Sequence, residues 1–263
     1  MPDFKALLYT LENDVAWVVL NRPEQRNAIN AELRDELVAV LTDARTNADV
    51  RALVLTGSGK GFCTGADLSG RGSGPTSPGA GRELMKSSSQ RLMRALWDLE
   101  KPVVAAVNGV AAGLGAHLAF ASDFVIAAAE ARFIEIFVRR GIAVDAAGAF
   151  LLPRLVGLQK AKELVFFGDD LGADEAQRLG LVSRVVPADQ LTAAAREWAE
   201  RLAAGPTFAI GMSKRLLNRS LESSFETALE EEALAQMLVT QSEDTREGMQ
   251  AFMERRAPQF KGR

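Results

Sequence analysis

The sequence of 263 residues is poor in cysteine and histidine, with Cys63 and His117 the only residues of their kinds. A single cysteine excludes a disulfide within the chain and any metal cage built from several cysteines, and it fits a reducing compartment. Because the sequence has one cysteine and one histidine, it supports no metal site.

Long apolar runs and a dominant charge of one sign are also missing. The first ten residues include Asp3 and Lys5 and lack the apolar segment of a signal peptide, and no stretch is apolar enough to span a membrane. The net charge of −3 does not indicate the excess of positive charge that is typical of proteins that bind nucleic acid. We therefore expect a cytoplasmic protein with no nucleic-acid or membrane partner.

What the sequence contains is an alternation of strand-like and helical patterns over its first two thirds. Short apolar runs predict strands at 15–20, 52–56, 103–107, 124–128 and 181–186 and an extended piece at 133–137. Helical spacing predicts helices at 31–46 with Asn30 as its cap, 83–99, 148–156, 159–167 and 174–179. This alternation is typical of an α/β protein.

Beyond residue 190 the pattern is helical throughout. Helices are predicted at 191–204, 208–219, 226–240 and 243–256. We therefore divide the chain into an α/β core, residues 1–190, and a helical C-terminal region, residues 191–263. The apolar stripes of this region exceed what one small core can cover, and they predict an oligomer.

The stretch PVVAAVNGVAAGLGAHLAFASD, residues 102–123, is the most informative of the chain. A buried strand leads into a turn lined by Gly113 and Gly115, and a helix begins near Leu114. Free backbone N–H groups at such a helix start can hold an anion, or an oxygen that becomes one during a reaction. The alternative is a tight strand-to-helix connection whose glycines only allow close packing.

A second glycine-rich turn, GSGKGFCTGADL at 57–68, also follows a predicted strand. Residues 69–81 are rich in glycine, proline and serine, which predicts a surface loop that could act as a lid or a substrate entrance. Within the turn, Cys63 is interpreted as a packing residue and Asp67 as a brace.

With both turns in view, the chain resembles the enoyl-CoA hydratase/isomerase (crotonase) superfamily. The resemblance covers nearly the full chain and rests on six ordered blocks, LNRPEQRNAIN at 20–30, GFCTGADL at 61–68, KPVVAAVNGVAAGLGAHLAFASD at 101–123, LPRLVG at 152–157, GLVSRVVP at 180–187 and REGMQAFMERRAPQFKGR at 246–263. It implies a crotonase-like spiral core of repeated ββα units, a helical C-terminal trimerisation region, and homotrimers or dimers of trimers.

The resemblance also implies an acyl-CoA thioester substrate and no cofactor other than the coenzyme A of that substrate. The thioester oxygen would lie between the backbone N–H groups of Ala66 and Leu114. Phe260 and Lys261 would close over the nucleotide phosphate, often from a neighbouring subunit, although a terminal lysine can also be a plain solvated charge. The residues implied in CoA binding are Arg22, Arg26, Ala28, Ala66, Asp67, Leu68, Phe260 and Lys261.

Two positions depart from the pattern of ordinary hydratases, which use two glutamates. Aligned by the motif, the first position is His117 and the second is Phe137, which would line the acyl pocket. Glu135 lies two residues before the second position, on the same face of an extended chain. Hydration needs one group to activate water and one to protonate carbon, so the standard two-glutamate mechanism does not fit.

Asp145 offers a replacement, because the resemblance places a working aspartate of isomerase branches there. Its apolar neighbours suit a carboxylate tuned for proton transfer. The alternative is that Asp145 caps the following helix. His117 is the second candidate, as a catalyst at the first acid position or as a core residue.

The leading hypothesis is an enzyme that stabilises a thioester enolate and moves a proton with Asp145, with or without His117. The reaction would be double-bond isomerisation or a non-standard hydration of an enoyl-CoA. One alternative is a non-catalytic acyl-CoA binder, since both usual acids are absent. Another is nucleophilic chemistry at Asp145 as in dehalogenases, although that branch has an indole where this chain has Phe137.

Overall fold

The computed structural model describes residues 4–69 and 77–263 and contains two β-sheets. The larger sheet has six strands in the order β1-β2-β3-β5-β7-β10, parallel except for the antiparallel pair β1–β2. Its strands are β1 (Leu7–Glu12), β2 (Val15–Leu20), β3 (Ala52–Gly57), β5 (Val103–Val107), β7 (Phe124–Ala128) and β10 (Arg184–Val186).

The smaller sheet has four strands of three residues each, in the order β4-β6-β8-β9. They are β4 (Gly61–Cys63), β6 (Val110–Ala112), β8 (Arg132–Ile134) and β9 (Asp170–Gly172). β4, β6 and β8 are mutually parallel, with Cys63 beside Ala111 and Ala112 beside Ile134. The segments that follow these three strands therefore leave the sheet side by side.

Ten α-helices complete the described part of the chain. They are α1 (Ala31–Thr46), α2 (Pro78–Ser87), α3 (Ser89–Trp97), α4 (Leu114–Phe120), α5 (Gly148–Phe167), α6 (Ala173–Arg178), α7 (Leu191–Ala203), α8 (Thr207–Ser220), α9 (Phe225–Val239) and α10 (Glu243–Glu254). The chain repeats one unit, in which a strand of the larger sheet is followed by a strand of the smaller sheet and then by helix. β3-β4, β5-β6 and β7-β8 are the three clearest cases.

The core lies on both faces of the larger sheet. One face packs with the smaller sheet and with helices α1, α3 and α4 in a single apolar cluster. The other face is covered by α7 through small side chains such as Ala195 and Ala199, both fully buried. α7 thus packs directly on the sheet, and the division of the chain at residue 190 stays a prediction.

Most predicted elements are confirmed to within a residue or two. α1 matches its prediction, and its Asn30 cap accepts a hydrogen bond from the Leu33 N–H at 2.9 Å. The helices predicted at 148–156 and 159–167 are the two halves of α5, which meet at Gly157, a residue with φ of +76°. The four C-terminal helices also follow the predicted order.

Other predictions were wrong in extent. The helix predicted at 83–99 is two helices, α2 and α3, separated at Ser88. The first already begins at Pro78, because Ser77 accepts a hydrogen bond from the Ala80 N–H and caps it. The strand predicted at 181–186 covers only Arg184–Val186. The predicted extended piece at 133–137 ends as a strand at Ile134, and Phe137 has helical angles that begin a 3-10 turn. Residues 70–76 of the predicted glycine loop lie outside the described residues.

The described part of the chain also lacks two kinds of feature. No helix within residues 4–69 and 77–263 combines the length and the apolar character that crossing a bilayer requires. In the same ranges, no three His, Cys, Asp or Glu side chains gather where they could hold a metal ion.

Candidate active site

Two glycine turns, one after β4 and one after β6, are packed backbone against backbone. A Cβ added to Gly65, which has φ of +91°, would lie 2.8 Å from the Ala112 carbonyl oxygen. A Cβ added to Gly115 would overlap the Cys63 carbonyl group. Only glycine allows this approach, because any side chain would push the two turns apart.

The first turn presents the N–H of Ala66. Ala66 forms an isolated parallel bridge with Ile29, in which the Ile29 N–H donates to the Gly65 oxygen and the Asp67 N–H donates to the Ile29 oxygen. In this pattern the amide of the bridged residue faces away from its partner strand. No acceptor in residues 4–69 and 77–263 is paired with the Ala66 N–H.

The second turn presents the N–H of Leu114, the first residue of α4. The chain reaches it through Gly113 at φ of +52°, whose N–H donates to the Ile134 oxygen at 2.9 Å. As the first helical residue, Leu114 has no carbonyl one turn earlier for its N–H, and the described residues supply no other acceptor. A Cβ on Gly65 would lie 3.6 Å from the Leu114 nitrogen, so both donors belong to touching turns.

Arg22 and Asp67 form an ion pair beside the first turn. The Arg22 Nη1 donates to Asp67 Oδ2 at 2.8 Å and to the Ala28 oxygen at 2.5 Å. Ser69 donates to the other carboxylate oxygen from its N–H and its hydroxyl. The hydrogen bonds from Ser69, and then those from Arg22, hold the pKa of Asp67 below its ordinary value.

Asn27 anchors the Arg22–Ala28 turn, and the sequence analysis missed it. It is fully buried and has φ of +57°, a conformation that asparagine tolerates better than most residues. Its Oδ1 accepts from the Arg22 N–H, and its Nδ2 donates to the Ser58 and Gly61 oxygens at 2.9 and 2.8 Å. The stretch NRPEQRNAIN, residues 21–30, contains three asparagines, and this turn-forming composition could have indicated Asn27 as a structural residue.

The other residues predicted on the CoA side are more exposed. Arg26 has an exposed side chain, and its carbonyl accepts a hydrogen bond from the Thr64 N–H at 3.2 Å. Leu68, two residues after the Ala66 donor, is 41% exposed. The two side chains therefore lie at the rim of the Ala66 turn and not beneath it.

His117 and Glu135 form a buried pair directly behind the second turn. The His117 Nε2 lies 3.2 and 3.1 Å from the two carboxylate oxygens of Glu135, and both side chains are almost completely buried. His117 Nδ1 has no hydrogen-bond partner among the described residues. Sequence reasoning placed Glu135 beside Phe137 on an extended strand, but it did not pair Glu135 with His117.

Phe137, which was predicted to line the acyl pocket, also contacts His117. The turn after Ile134 brings its ring parallel to the His117 imidazole, with centroids 5.5 Å apart and an interplanar angle of 16°. The Cζ atom of the same ring would lie 3.4 Å from a Cβ added to Gly113. Phe137 thus packs between His117 and the turn that presents Leu114.

Asp145 is half-buried in the loop between the 3-10 turn and α5. The two residues after it, Ala146 and Ala147, both have left-handed backbone angles, with φ of +47° and +65°. The cap position of α5 is occupied by Ala147, and the Gly148 N–H donates to the backbone oxygen of Asp145 at 2.9 Å. Asp145 itself does not take the cap position that the sequence analysis offered as an alternative.

A cavity of about 500 Å³ opens next to the Asp145 loop, between α3, the end of α4 and the start of α5. Its walls include Met93, Trp97, Ala147 and Phe150, and the rings of Trp97 and Phe150 meet edge to face at 5.5 Å. Gln90, Arg94, Asp98 and Glu222 also line it, so the cavity combines an apolar wall with polar and charged groups.

The predicted C-terminal pair lies away from these turns within the same chain. The Lys261 N–H donates to Asp244 at 2.6 Å, and the Phe260 oxygen accepts from Arg51 at 3.0 Å. Arg51 directly precedes β3, whereas the Arg22 turn lies beyond the other end of that six-residue strand, about 20 Å away. One chain therefore does not bring Lys261 to its own Arg22 turn.

Cys63 is buried at the end of β4, and burial raises the pKa of its thiol to about 12. At neutral pH it is therefore a thiol and not a nucleophilic thiolate.

Comparison with known proteins identifies the family. The family model of enoyl-CoA hydratase/isomerase matches residues 10–263. The chain is 39% identical over 258 residues to the 1,2-epoxyphenylacetyl-CoA isomerase of Escherichia coli K12, covering 98% of each chain. It is 38% identical over 248 residues to the short-chain-enoyl-CoA hydratase of Clostridium acetobutylicum, covering 93% of each.

A solved structure agrees with both sequence matches. The enoyl-CoA hydratase of Bacillus anthracis superposes with a TM-score of 0.92 at 35% identity, over 98% of this chain and 100% of that one. The predicted crotonase-like α/β fold with a helical C-terminal region is thereby confirmed. The chain belongs to the enoyl-CoA hydratase/isomerase family and is an acyl-CoA enzyme of that type.

Proposed function

We propose that this enzyme isomerises the double bond of an enoyl-CoA, with Asp145 as its proton-transfer group. The main support comes from the two positions where ordinary hydratases of this family carry glutamates. They hold His117 and Phe137, and the neighbouring carboxylate of Glu135 is hydrogen-bonded to His117. Asp145 is the half-buried carboxylate on the loop that packs against these residues.

The proposed reaction moves one proton and adds no water. The Asp145 carboxylate removes a proton from the carbon next to the double bond and the thioester, and the electron pair moves onto the thioester oxygen. The N–H groups of Ala66 and Leu114 stabilise this enolate, because fixed donors need no reorganisation when the charge develops. Asp145 then returns the proton to the other end of the conjugated system, and the double bond shifts.

Hydration would require more than this. One group must activate water and a second must protonate carbon. His117 is the titratable side chain at the first acid position, but its Nε2 is engaged by Glu135. The named relatives do not decide the matter, because an isomerase and a hydratase match at 39% and 38% identity.

The substrate would span from the Arg22 turn to the cavity. Its CoA part would lie along Arg22, Arg26, Ala28, Asp67 and Leu68. The thioester oxygen would meet the two N–H donors, and the acyl group would pass Phe137 toward the cavity lined by Trp97 and Phe150. The apolar side chains of Trp97 and Phe150 in that cavity would contact an apolar acyl group.

We further propose a homotrimer or dimer of trimers. Apolar side chains of α9 and α10 stand exposed on the single chain, among them Met237 at 54%, Met249 at 65% and Phe252 at 83%. Surfaces of this kind are ordinarily covered by another subunit. A neighbouring chain would then bring Phe260 and Lys261 to the nucleotide end of the substrate.

Asp145→Asn tests the proposal directly. The amide keeps the shape of the side chain but cannot carry the proton, so kcat for 3-enoyl-CoA isomerisation should fall by about 100-fold or more. Affinity for acyl-CoA, measured by calorimetry, should change by less than about threefold because only the transition state uses the proton transfer. Asp189→Asn removes the same charge from an exposed position before α7 and serves as the matched control.

The assay should run on crotonyl-CoA as well as on the 3-enoyl-CoA. Turnover of the 3-enoyl-CoA that survives Asp145→Asn unchanged would overturn the assignment of Asp145. Efficient hydration of crotonyl-CoA by the unmodified enzyme, with little isomerisation, would replace the proposed reaction with a non-standard hydration.

A further inference from the structure

We infer that His117 and Glu135 act as a positioning pair for the loop that carries Asp145. This inference rests on the proposed role of Asp145 and adds two residues that act on it. His117 would then contribute through the packing of its ring and not through a proton given to the substrate. Glu135 would contribute by fixing that ring through Nε2.

Burying the His117–Glu135 pair in the protein core is energetically unfavourable. His117 and Glu135 are 0% and 4% exposed, and their only side-chain hydrogen bonds within the described residues are to each other. Removing such groups from water costs free energy that their mutual attraction only partly offsets, and apolar replacements are often equally stable or more so. Stability alone therefore gives little reason for this pair, whereas a geometric requirement does.

Contacts with the Asp145 loop supply that requirement. A Cβ on Gly148 would overlap Cε1 and Nε2 of His117 and would lie 2.7 Å from Cγ2 of Val144. The imidazole, Val144 and the backbone of Gly148 thus meet at one point. Asp145 lies between Val144 and Gly148 in the chain, so the ring packs against the Gly148 end of the short segment that contains it.

The backbone of this segment needs such support. Ala146 and Ala147 are left-handed, and each costs about 1–2 kcal/mol for a residue with a Cβ. Strained angles of this kind persist only where surrounding contacts determine them. The ring of His117 provides such a contact, and the hydrogen bonds that Glu135 accepts from Nε2 keep the ring from rotating away.

The same ring reaches the oxyanion side of the site. It stacks on Phe137, which packs against Gly113 next to the Leu114 donor. Phe137 therefore holds one face of the imidazole and, with the Glu135 hydrogen bonds, fixes the ring that contacts the Asp145 loop. A shift of the ring would move that loop relative to the enolate-stabilising turn. Errors of about 1 Å between such groups are enough to lower catalytic rates strongly.

Substitutions at Glu135 test the hydrogen bond. Glu135→Ala frees the ring and should lower kcat by about tenfold or more, with KM changed by less than about threefold. Glu135→Gln offers an amide oxygen to the same Nε2–H and should recover most of kcat. Rates should be expressed per acyl-CoA binding site counted by calorimetry, so that a smaller folded fraction does not imitate a catalytic defect.

Gly148→Ala tests the contact without changing either member of the pair. The added methyl group would collide with the His117 ring, and kcat should fall by about tenfold while acyl-CoA affinity holds. Gly172→Ala is the matched control, because a Cβ there meets nothing within 4 Å.

The double variant Asp145→Asn/Glu135→Ala separates positioning from a general structural effect. If Glu135 acts through Asp145, its loss should cost less than about twofold once Asp145 is gone. A full tenfold further loss would overturn the inference, as would normal kcat in both Glu135→Ala and Gly148→Ala. Failure of both variants to fold would assign the pair to folding and would also overturn it. Normal turnover in Asp145→Asn alone would instead count against the proposed function.

Discussion

Two carboxylates stand behind the two N–H donors of the site, and their surroundings differ sharply. Asp67, next to the Ala66 donor, is partly buried, with 10% of its side chain exposed, and is held by Arg22 and Ser69. Glu135, on the Leu114 side, is buried and bonded to His117. Both brace a turn, but only the second does so at the cost of burying a titratable pair.

The difference separates structural from functional explanations. Arginine stays charged at all ordinary pH values, and an ion pair near the surface contributes about 1 kcal/mol or less. Such a brace needs no catalytic reason. A buried histidine–carboxylate pair is more costly, and groups of this kind concentrate where chemistry requires a fixed arrangement. The Arg22 side therefore suits substrate binding, and the His117 side suits the reacting carbons.

Leu114→Pro should give the largest loss of kcat among the variants of the two sides. It would remove the N–H donor on the Leu114 side and leave the Arg22 side unchanged. Proline is well tolerated as the first residue of a helix, because the N–H that it lacks takes no part in the helix ladder. The variant should therefore fold while losing one enolate donor, which corresponds to about 3 kcal/mol, or about 100-fold or more in kcat.

Leu114→Ala is the control for this substitution, since it removes the side chain and keeps the N–H. Its loss of kcat should be at least about tenfold smaller than that of the proline variant. Similar losses in both variants, measured at equal content of folded protein by circular dichroism, would show that the N–H is not a catalytic donor.

Asp67→Asn should have a smaller effect on catalysis. It would remove the ion pair between Arg22 and residue 67. Unfolding free energy at neutral pH should drop by about 1 kcal/mol, with KM affected more than kcat. The folded state lowers the pKa of Asp67, so its contribution is fully present above the unfolded pKa of about 4 and is lost as pH falls through the folded value.

Urea unfolding of both proteins between pH 7 and pH 2 measures this contribution. The stability difference should be constant near neutrality and should shrink toward zero below about pH 4. A difference that grows as the pH falls would contradict the interpretation of Asp67 as an ionised brace.

Regular elements of this fold were predictable because their signals are local. Asn30 and the helical spacing after it predict α1 to the residue, and the apolar run at 103–107 predicts β5. β1 was missed, since its residues are largely exposed and it pairs only with β2 at the sheet edge. The three-residue strands of the smaller sheet are too short to leave a period in the sequence.

The site was predictable where a backbone turn defines it and not where side chains meet across the fold. Gly65 and Gly113 mark the two turns by their own conformational needs. The His117–Glu135 pair depends on the chain leaving its strand at Ile134 and turning at Phe137, which no local pattern indicates. Asn27 escaped for a related reason, because its Nδ2 donates to backbone oxygens more than thirty residues away.

Lys261→Ala should give the smallest effect and would sharpen the assignment of the Arg22 side to CoA. Lys261 is 64% exposed and lies near its own Glu243, on the far side of β3 from its own Arg22 turn. If a neighbouring subunit supplies it to the nucleotide phosphate, its loss should weaken acyl-CoA binding about two- to fivefold, less so at high salt. Lys160→Ala, on α5, is the matched control, and light scattering on the same samples should give a trimer or hexamer mass. A monomer with unchanged affinity would show that Lys261 is a solvated tail charge and that no neighbouring chain completes the site.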